Sequence, residues 1–226
     1  MRIGVLGTGT VGRALGAKLA EIGHDVVIGS RDPAALAART EKGRGEAESF
    51  VEWRATHADI ALATFREAAE HAELVVIATN GAGTLQALAS AGAENLEGKT
   101  LLDVTNALDF SSGGPGVFTT STDSLAEQIQ RAHPVAKVVK SLNTVTSRVM
   151  IEPGELAGGE HTMLVAGDDE GAKQQVTALL REGFGWRHVQ DLGDLSGARA
   201  MEMYVLLWLR LFFATGTPMV NVRVVT

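Results

Sequence analysis

The chain has 226 residues, of which 45% are hydrophobic and none is cysteine, and its formal net charge is −7. An acidic chain without a basic run is a poor nucleic-acid binder, because phosphate contacts need clustered lysine and arginine, and the lack of cysteine excludes disulfides and thiolate metal ligands. The most apolar segment, 203–216, contains Arg210 and is shorter than a membrane span, so we expect a cytoplasmic protein without membrane or nucleic-acid partners.

Strand and helix patterns alternate along the first 142 residues. The strand patterns are short apolar runs with little polar alternation, at 2–7, 25–29, 59–63, 73–79, 100–105 and 136–142. The helix patterns between them lie at 11–22, from Pro33, shortly after 63, at 83–91 and at 124–132. Such strands suit a parallel sheet covered on both faces, so the alternation predicts a Rossmann-type, doubly wound α/β fold.

The alternation is interrupted after residue 105 and again after residue 150. Residues 106–122 form a connection longer than usual, which indicates a functional lid or a disordered segment, before Ser124 and Glu127 form a predicted capping box. The later elements follow a turn-rich bridge, at 163–167, 169–182, 186–193 and 195–213. We therefore expect a Rossmann domain over 1–150 and a small C-terminal α/β lobe over 151–226 packed on it.

A glycine-rich sequence follows the first predicted strand and opens the first predicted helix. It has the form G-x-G-x-x-G and consists of Gly7, Thr8, Gly9, Thr10, Val11 and Gly12. The first glycine permits a tight turn, the second lets the backbone approach a pyrophosphate, and the third lets the helix pack closely. The helix N-terminus adds free N–H groups for the phosphates. The sequence therefore predicts a dinucleotide-binding site, and we expect the Rossmann domain over 1–150 to bind the cofactor.

The second predicted strand ends in Ser30 and Arg31, where NAD-binding proteins usually carry a ribose-binding carboxylate. A guanidinium and a hydroxyl match a 2′-phosphate, so we predict NADP(H) as the cofactor. Asp32 could still reach the ribose, but the sequence Asp32-Pro33 also has the pattern of a helix N-cap followed by a first-turn proline.

Three segments together resemble a known family: "GTGTVGRALGAKLAEIGHDVVIGSRDP" (7–33), "LLDVTNA" (101–107) and "KVVKSLNTV" (137–145). They resemble the NADP-dependent oxidoreductases of the deazaflavin coenzyme F-420 and the related NADPH-binding domain of six-transmembrane ferric reductases. The resemblance covers nearly the whole chain. It implies a dinucleotide-binding domain with a small C-terminal domain, and coenzyme F-420 as a co-substrate that sits between them over the nicotinamide.

The resemblance also implies site residues along the cofactor. They are Thr8, Ser30 and Arg31 at the 2′-phosphate, Thr79 and Asn80 beside the central part, and Thr105, Asn106, Asn143 and Thr144 around the nicotinamide and its redox partner. Several of these follow predicted strands, and ligands of open parallel sheets bind beyond the carboxyl ends of the strands. The 106–122 connection and the "SLNT" segment, where archaeal members carry a histidine, depart from the family and concern the second substrate.

The long connection offers a candidate cover for the reacting rings. Within 110–121, the glycines and proline of 113–116 could act as a hinge, and Phe118 could provide an apolar surface in contact with the substrate. The alternative is a loop that packs away from the cleft.

No catalytic acid–base pair is evident, and none of the six histidines has metal-ligand spacing, so we expect no metal site. Direct hydride transfer to a small-molecule redox acceptor fits this absence. The alternatives are a reductase of an imine, carbonyl, ferric or flavin acceptor, with His161 the candidate acid, and a sensor of NADP(H) without turnover. An apolar helical face suggests core, cleft wall or the contact of a homodimer; it comprises Met201, Met203, Tyr204, Leu207 and Trp208.

Overall fold

The computed structural model describes residues 1–43, 47–111 and 113–225 and is built around one large sheet. The strands are β1 (Arg2–Leu6), β2 (Asp25–Ser30), β3 (Ala61–Thr64), β4 (Leu74–Ile77), β5 (Thr100–Asp103), β6 (Leu108–Asp109), β7 (Gly116–Val117), β8 (Lys137–Ser141), β9 (Thr162–Gly167) and β10 (His188–Asp191). The helices are α1 (Thr10–Glu21), α2 (Pro33–Ala37), α3 (Phe50–Thr56), α4 (Phe65–His71), α5 (Thr84–Ala91), α6 (Leu125–Ala132), α7 (Ser147–Ile151), α8 (Glu170–Ala178) and α9 (Ala198–Thr215).

Eight strands form this sheet in the order β10-β9-β8-β5-β4-β1-β2-β3. In this order, each neighbouring pair from β8 through β5, β4, β1 and β2 to β3 is parallel. The carboxyl ends of these strands therefore lie at one edge of the sheet. The prediction of a Rossmann-type, mainly parallel sheet is confirmed.

The direction of β9 differs because the chain does not cross back after β8. α7 and two short 3₁₀ turns, Pro153–Glu155 and Ala157–Gly159, connect β8 to β9, which is antiparallel to β8. α8 then crosses over, and β10 is parallel to β9. The C-terminal elements thus extend the sheet of the first 150 residues, and the division into two domains stays a prediction.

Both faces of the sheet are covered, as continuous apolar strands require. Alternate residues of a strand point to opposite faces, so Val5 and Leu6 belong to different hydrophobic clusters. The cluster with Val5 includes side chains of α1, α3 and α8, and the one with Leu6 includes side chains of α4, α5 and α6. This double layer fixes the strand ends on which the site is built.

The predicted capping box at the start of α6 is confirmed. Ser124 Oγ accepts a hydrogen bond from Glu127 N at 3.1 Å, and Glu127 Oε2 accepts one from Ser124 N at 2.9 Å. Arg199 of α9 also donates to Glu127 Oε2, at 2.9 Å. This Arg199 contact is the main reason that the pKa of Glu127 is lowered to about 2.

The long connection contains an ordered antiparallel pair rather than disorder over its described residues. β6 pairs with β7, and Phe118 N donates to Ala107 O at 2.9 Å. β7 packs against α9.

The apolar face expected on α9 is buried only in part. Met201 is buried together with Ala198, Glu202 and Val205, whereas Leu207 is 50% exposed. A homodimer through the exposed part stays a prediction. Within the described ranges, no helix combines the length and hydropathy needed to span a bilayer.

Candidate functional site

A cleft runs along the carboxyl ends of the parallel strands and has two halves that meet at Ala78, Thr79 and Asn80. The β2 half, about 560 Å³, lies over the ends of β1 and β2. The β5 half, about 420 Å³, lies beside the end of β5. The predicted site residues that line only one half are Gly7, Thr8, Gly9, Ser30 and Arg31 in the β2 half, and Thr10, Val11, Thr105 and Asn106 in the β5 half.

The glycine-rich turn between β1 and α1 has the close contacts that its spacing predicts. Gly7 has a φ of +128°, and a Cβ there would lie 2.3 Å from the carbonyl oxygen of Ala78. A Cβ on Gly12 would lie 2.1 Å from the carbonyl oxygen of Gly7. Apart from its chain neighbours, a Cβ on Gly9 would have no protein atom within 4 Å, so the open side of the turn faces the cleft. Gly7 and Gly12 shape the turn, and Gly9 leaves space above it.

The N-terminus of α1 begins at this open side. Its N-cap is Gly9, and no side chain caps the first turn. Free N–H groups at a helix N-terminus and the positive end of the helix dipole favour an anion. The turn is therefore suited to a pyrophosphate.

Cationic and hydroxyl side chains line the β2 half. Ser30 is buried at the end of β2, and its Oγ accepts a hydrogen bond from Asp32 N at 3.3 Å. Arg31 is exposed and lines the cleft. Asp32 caps α2, because its Oδ1 accepts a hydrogen bond from Ala35 N at 2.9 Å. Arg39, which follows α2, is a second guanidinium in this lining that the sequence analysis missed.

Thr79 and Asn80 form the wall that joins the two halves. Thr79 Oγ1 lies 2.9 Å from Thr84 Oγ1, and Asn80 Oδ1 accepts a hydrogen bond from Ala82 N at 3.1 Å. These contacts hold the loop after β4 in place at the middle of the cleft, where the sequence predicts the central part of the cofactor.

The β5 half has no ionisable side chain among its described lining residues. Its lining is made of apolar, hydroxyl and amide side chains and one glycine: Thr10, Val11, Ala78, Thr79, Asn80, Gly81, Val104, Thr105, Asn106, Leu108, Phe110, Val145, Thr146, Ser147 and Met150. A wall of this kind can orient a flat ring and exclude water, but it offers no proton donor with a pKa near neutrality.

Asn143 and Thr144 lie behind the cleft wall, and their place beside the redox partner stays a prediction. Each is 2% exposed, and Val145 and Thr146 line the β5 half in their place. The reason is a tight turn at Leu142, which has a φ of +63° and lets Asn143 N donate to Ser141 O at 2.8 Å.

This turn directs Asn143 toward Asn106. Asn143 Nδ2 donates to Asn106 Oδ1 at 3.0 Å, and Asn106 Nδ2 donates to the Asn143 carbonyl at 2.9 Å. Two polar atoms here are buried without a hydrogen-bond partner in the described structure: Asn143 Oδ1 and the hydroxyl oxygen of Thr144. Asn143 therefore contacts a residue of the cleft lining, Asn106, from behind the wall.

Phe110, and not Phe118, lines the β5 half. Phe110 is 62% exposed and precedes the turn of the β6–β7 hairpin, whereas Phe118 follows β7 and is 41% exposed outside the lining. The cover over the cleft, for which the sequence predicts Phe118 as the apolar side chain, stays a prediction. The pattern alone could not separate the two phenylalanines, because the hairpin register decides which one faces the cleft.

A fully buried charge cluster lies beneath the β5 half. Lys140 Nζ donates to Asp103 Oδ2 at 2.9 Å and to the Thr105 carbonyl at 2.6 Å, and lies 3.2 Å from Glu202 Oε1. This cluster was not predicted from the sequence. Its signal was a lysine directly after Val138 and Val139 in β8, an aspartate directly after Leu101 and Leu102 in β5, and a glutamate on the inner face of α9.

His161 is a structural residue in the core. It is 3% exposed, its Nε2 donates to the Pro153 carbonyl at 2.9 Å, and its Nδ1 accepts from Asn221 Nδ2 at 2.9 Å. Its ring packs edge-on against Trp186. These partners hold the ring in one orientation, outside both cleft linings. Over the described ranges, no group of three or more metal-binding side chains is found.

Comparisons with known proteins show the family of the chain. Residues 2–107 match the family model described as "NADP oxidoreductase coenzyme F420-dependent". The F420-dependent NADP reductase of Methanothermobacter marburgensis is 30% identical over 93% of this chain and 92% of that protein. The rat metalloreductase STEAP3 is 27% identical over 89% of this chain, which spans 36% of that protein.

Solved structures extend the comparison to the whole chain. The crystal structure of a candidate F420-dependent NADP reductase from Arthrobacter sp. FB24 is 48% identical, with a TM-score of 0.95 over 100% of both chains. An imine reductase from Aspergillus terreus is 19% identical, with a TM-score of 0.63 over 95% of this chain and 63% of that one, and so shares the fold alone.

Proposed function

The chain belongs to the family of coenzyme F420-dependent NADP oxidoreductases, and from this membership we propose that it transfers a hydride directly between NADP(H) and the deazaflavin coenzyme F-420. In this proposal NADP(H) lies along the cleft, with its 2′-phosphate in the β2 half and its nicotinamide in the β5 half. The acceptor ring stacks on the nicotinamide.

The composition of the β5 half carries the proposal. When both cofactors are bound, one ring supplies a hydride and the other accepts it. Such a transfer needs alignment and exclusion of water from the protein more than it needs a proton donor. The absence of ionisable groups from the described lining, together with apolar side chains such as Val145, Met150 and Phe110, supports this chemistry.

The β2 half supports the choice of NADP(H). Arg31 and Arg39 supply positive charge, and the Ser30 hydroxyl can hydrogen-bond to a phosphate oxygen. Gly9 and the first turn of α1 would hold the pyrophosphate. The only carboxylate in this described lining, Asp32, has an oxygen engaged in capping α2.

The remaining predicted residues would position the nicotinamide. Thr79 and Asn80 would flank the centre of the cofactor, and Thr105 and Asn106 would hydrogen-bond near its carboxamide. Asn143 would orient Asn106 from behind the wall, because the two side chains hydrogen-bond to each other.

A screen of acceptors under anaerobic conditions tests the proposal. NADPH oxidation is followed with coenzyme F-420, FMN, a cyclic imine, a ketone and a ferric chelate at matched concentrations. We expect kcat/KM to be highest with coenzyme F-420. Preference for the imine or ketone would assign the chain to another class of reductase, and NADPH binding without turnover of any acceptor would indicate a sensor.

A further inference from the structure

We infer that Lys140, together with Asp103 and Glu202, is a positioning residue that fixes the β5 half of the cleft relative to α9. This inference rests on the proposed function, because it assigns the nicotinamide to that half. All three side chains are 0% exposed, and they come from β8, β5 and α9.

The hydrogen bonds of the cluster engage both carboxylates. Asp103 Oδ1 accepts from Thr105 N at 2.9 Å and from Thr105 Oγ1 at 2.7 Å. Glu202 accepts from Leu125 N at 2.8 Å and from Ala126 N at 3.1 Å, at the start of α6. These donors, with Lys140 between the two carboxylates, hold both side chains in a fixed orientation.

A buried ion cluster of this kind is a weak source of stability. Removing charges from water is costly, and well-packed apolar residues often stabilise a core at least as well. We therefore expect the cluster to contribute to the relative positions of β5, β8 and α9 more than to the stability of the fold.

Two links run from consecutive residues of α9 to consecutive residues of the cleft. Glu202 contacts Lys140, which donates to the carbonyl of Thr105. The Met201 carbonyl accepts from Asn143 Nδ2 at 2.9 Å, and the same Nδ2 donates to Asn106 Oδ1. Thr105 and Asn106 line the β5 half and are absent from the lining of the β2 half. The cluster thus positions the β5 half of the cleft, whereas the β2 half is positioned by β1 and β2.

Two variants separate these ends. Glu202→Gln removes the charge from one of the two links from α9 and keeps Lys140 beside Asp103. Lys140→Met/Glu202→Gln removes one cation and one anion, so the net charge of the cluster is unchanged and the Asp103–Thr105 turn is kept. The matched control is Lys173→Met/Asp191→Asn, which removes a largely buried lysine and its partner, 2.8 Å apart, far along the sheet on α8 and β10.

Each variant is compared in three measurements. Binding of adenosine 2′,5′-bisphosphate reports on the β2 half, the emission of bound NADPH reports on the surroundings of the nicotinamide, and kcat and KM are measured with coenzyme F-420. We expect kcat to fall about 10- to 100-fold in the double variant, as for a misplacement near 1 Å, and less in Glu202→Gln. The Kd of the bisphosphate should stay within about twofold, and the control should keep its kcat.

A kcat within about threefold of the original protein in the folded double variant would overturn the inference, and so would an equal loss of bisphosphate binding. If neither variant folds, Glu202→Asp decides, because it keeps the charge and shortens the link: an unchanged kcat and NADPH emission would refute the positioning role. The two binding measurements need no acceptor. A protein inactive with coenzyme F-420 would therefore refute the proposed function, while the positioning role would still be tested by NADPH emission.

Discussion

Asn106 and Asn143 hydrogen-bond to each other across the carboxyl ends of the neighbouring strands β5 and β8. Asn143 Nδ2 donates to Asn106 Oδ1 at 3.0 Å, and Asn106 Nδ2 returns a bond to the Asn143 carbonyl at 2.9 Å. A carboxamide does not titrate near neutral pH, so this pair can orient a nicotinamide but cannot supply a proton. The pH dependence of the reaction should reflect that property.

The hydride step should be nearly independent of pH from roughly pH 6 to 8, because no general acid with a pKa near 6.5 is used. Single-turnover oxidation of 4-deuterated NADPH should show a primary isotope effect across that range. His161→Ala is the control for the alternative in which a histidine acts as the acid. It should lower the melting temperature and leave the hydride rate nearly unchanged. A rate that falls steeply through pH 6.5 in the original protein, and becomes flat in His161→Ala, would contradict direct transfer.

Arg31→Ala should weaken NADPH binding selectively, because it removes a charge-assisted hydrogen bond to the 2′-phosphate. The expected loss is about 1.5–3 kcal/mol, or roughly 10- to 150-fold in Kd, with little change for NADH. Calorimetric titration of both cofactors measures this. Arg66→Ala is the control, since Arg66 is exposed, pairs with Glu94 and lies outside the cleft. Equal losses for NADPH and NADH would count against the assignment of Arg31.

Gly12→Ala and Gly9→Ala should change different properties: the first should lower the stability of the protein, and the second should weaken NADPH binding. The Cβ of Gly12→Ala would clash with the Gly7 carbonyl and should cost about 1–3 kcal/mol, seen as a fall in melting temperature of roughly 2–12 °C. Gly9→Ala meets no protein atom and should leave the melting temperature of the free protein nearly unchanged. Its methyl group should instead weaken NADPH binding by occupying the space above the turn. Unchanged NADPH affinity in Gly9→Ala would place the pyrophosphate elsewhere.

Phe110→Ala should reduce turnover if the β6–β7 hairpin covers the reacting rings. We expect kcat with coenzyme F-420 to fall about fivefold while the Kd of NADPH is nearly unchanged, because the side chain lines only the β5 half. Phe118→Ala is the matched control from the other end of the hairpin and should have a smaller effect on kcat. Identical kinetics of the two variants and the original protein would remove the idea of a cover.

The stabilising contribution of Glu127 should be lost in acid. Its pKa is lowered to about 2, chiefly by the hydrogen bond from Arg199, against an ordinary value of 4.5. The ionised form is the one stabilised by folding, so its contribution is complete above pH 4.5 and is lost as the pH falls toward 2. Because Arg199 is partly exposed, we expect a contribution of about 1–2 kcal/mol.

Urea unfolding of Glu127→Gln and of the original protein measures that contribution. The difference in unfolding free energy should be largest near pH 7 and should shrink between pH 5 and 3. Glu97→Gln, an exposed site, is the control. A difference that stays constant down to pH 3 would show that the Arg199 contact does not depend on the charge of Glu127.

The amino-acid sequence by itself determined the features that depend on near neighbours along the chain. The close packing of Gly12 is against the nearby Gly7 carbonyl, and the capping box of Ser124 and Glu127 spans one helical turn. The strand ends that carry Thr79, Thr105 and Asn106 follow from apolar runs, and parallel pairing then brings them to one edge. The resemblance to a family added the expected cofactors, which residue patterns alone do not specify.

Only the tertiary structure decided the features that depend on contacts between distant segments. Lys140 meets Asp103 across 37 positions, and Glu202 meets Leu125 across 77, so no local pattern pairs them. Which of Phe110 and Phe118 lines the cleft depends on how the β6–β7 hairpin packs, and the direction of Asn143 depends on the turn at Leu142. Such contacts form when elements pack in three dimensions, and the packing of whole layers, rather than the preference of any single residue, selects them.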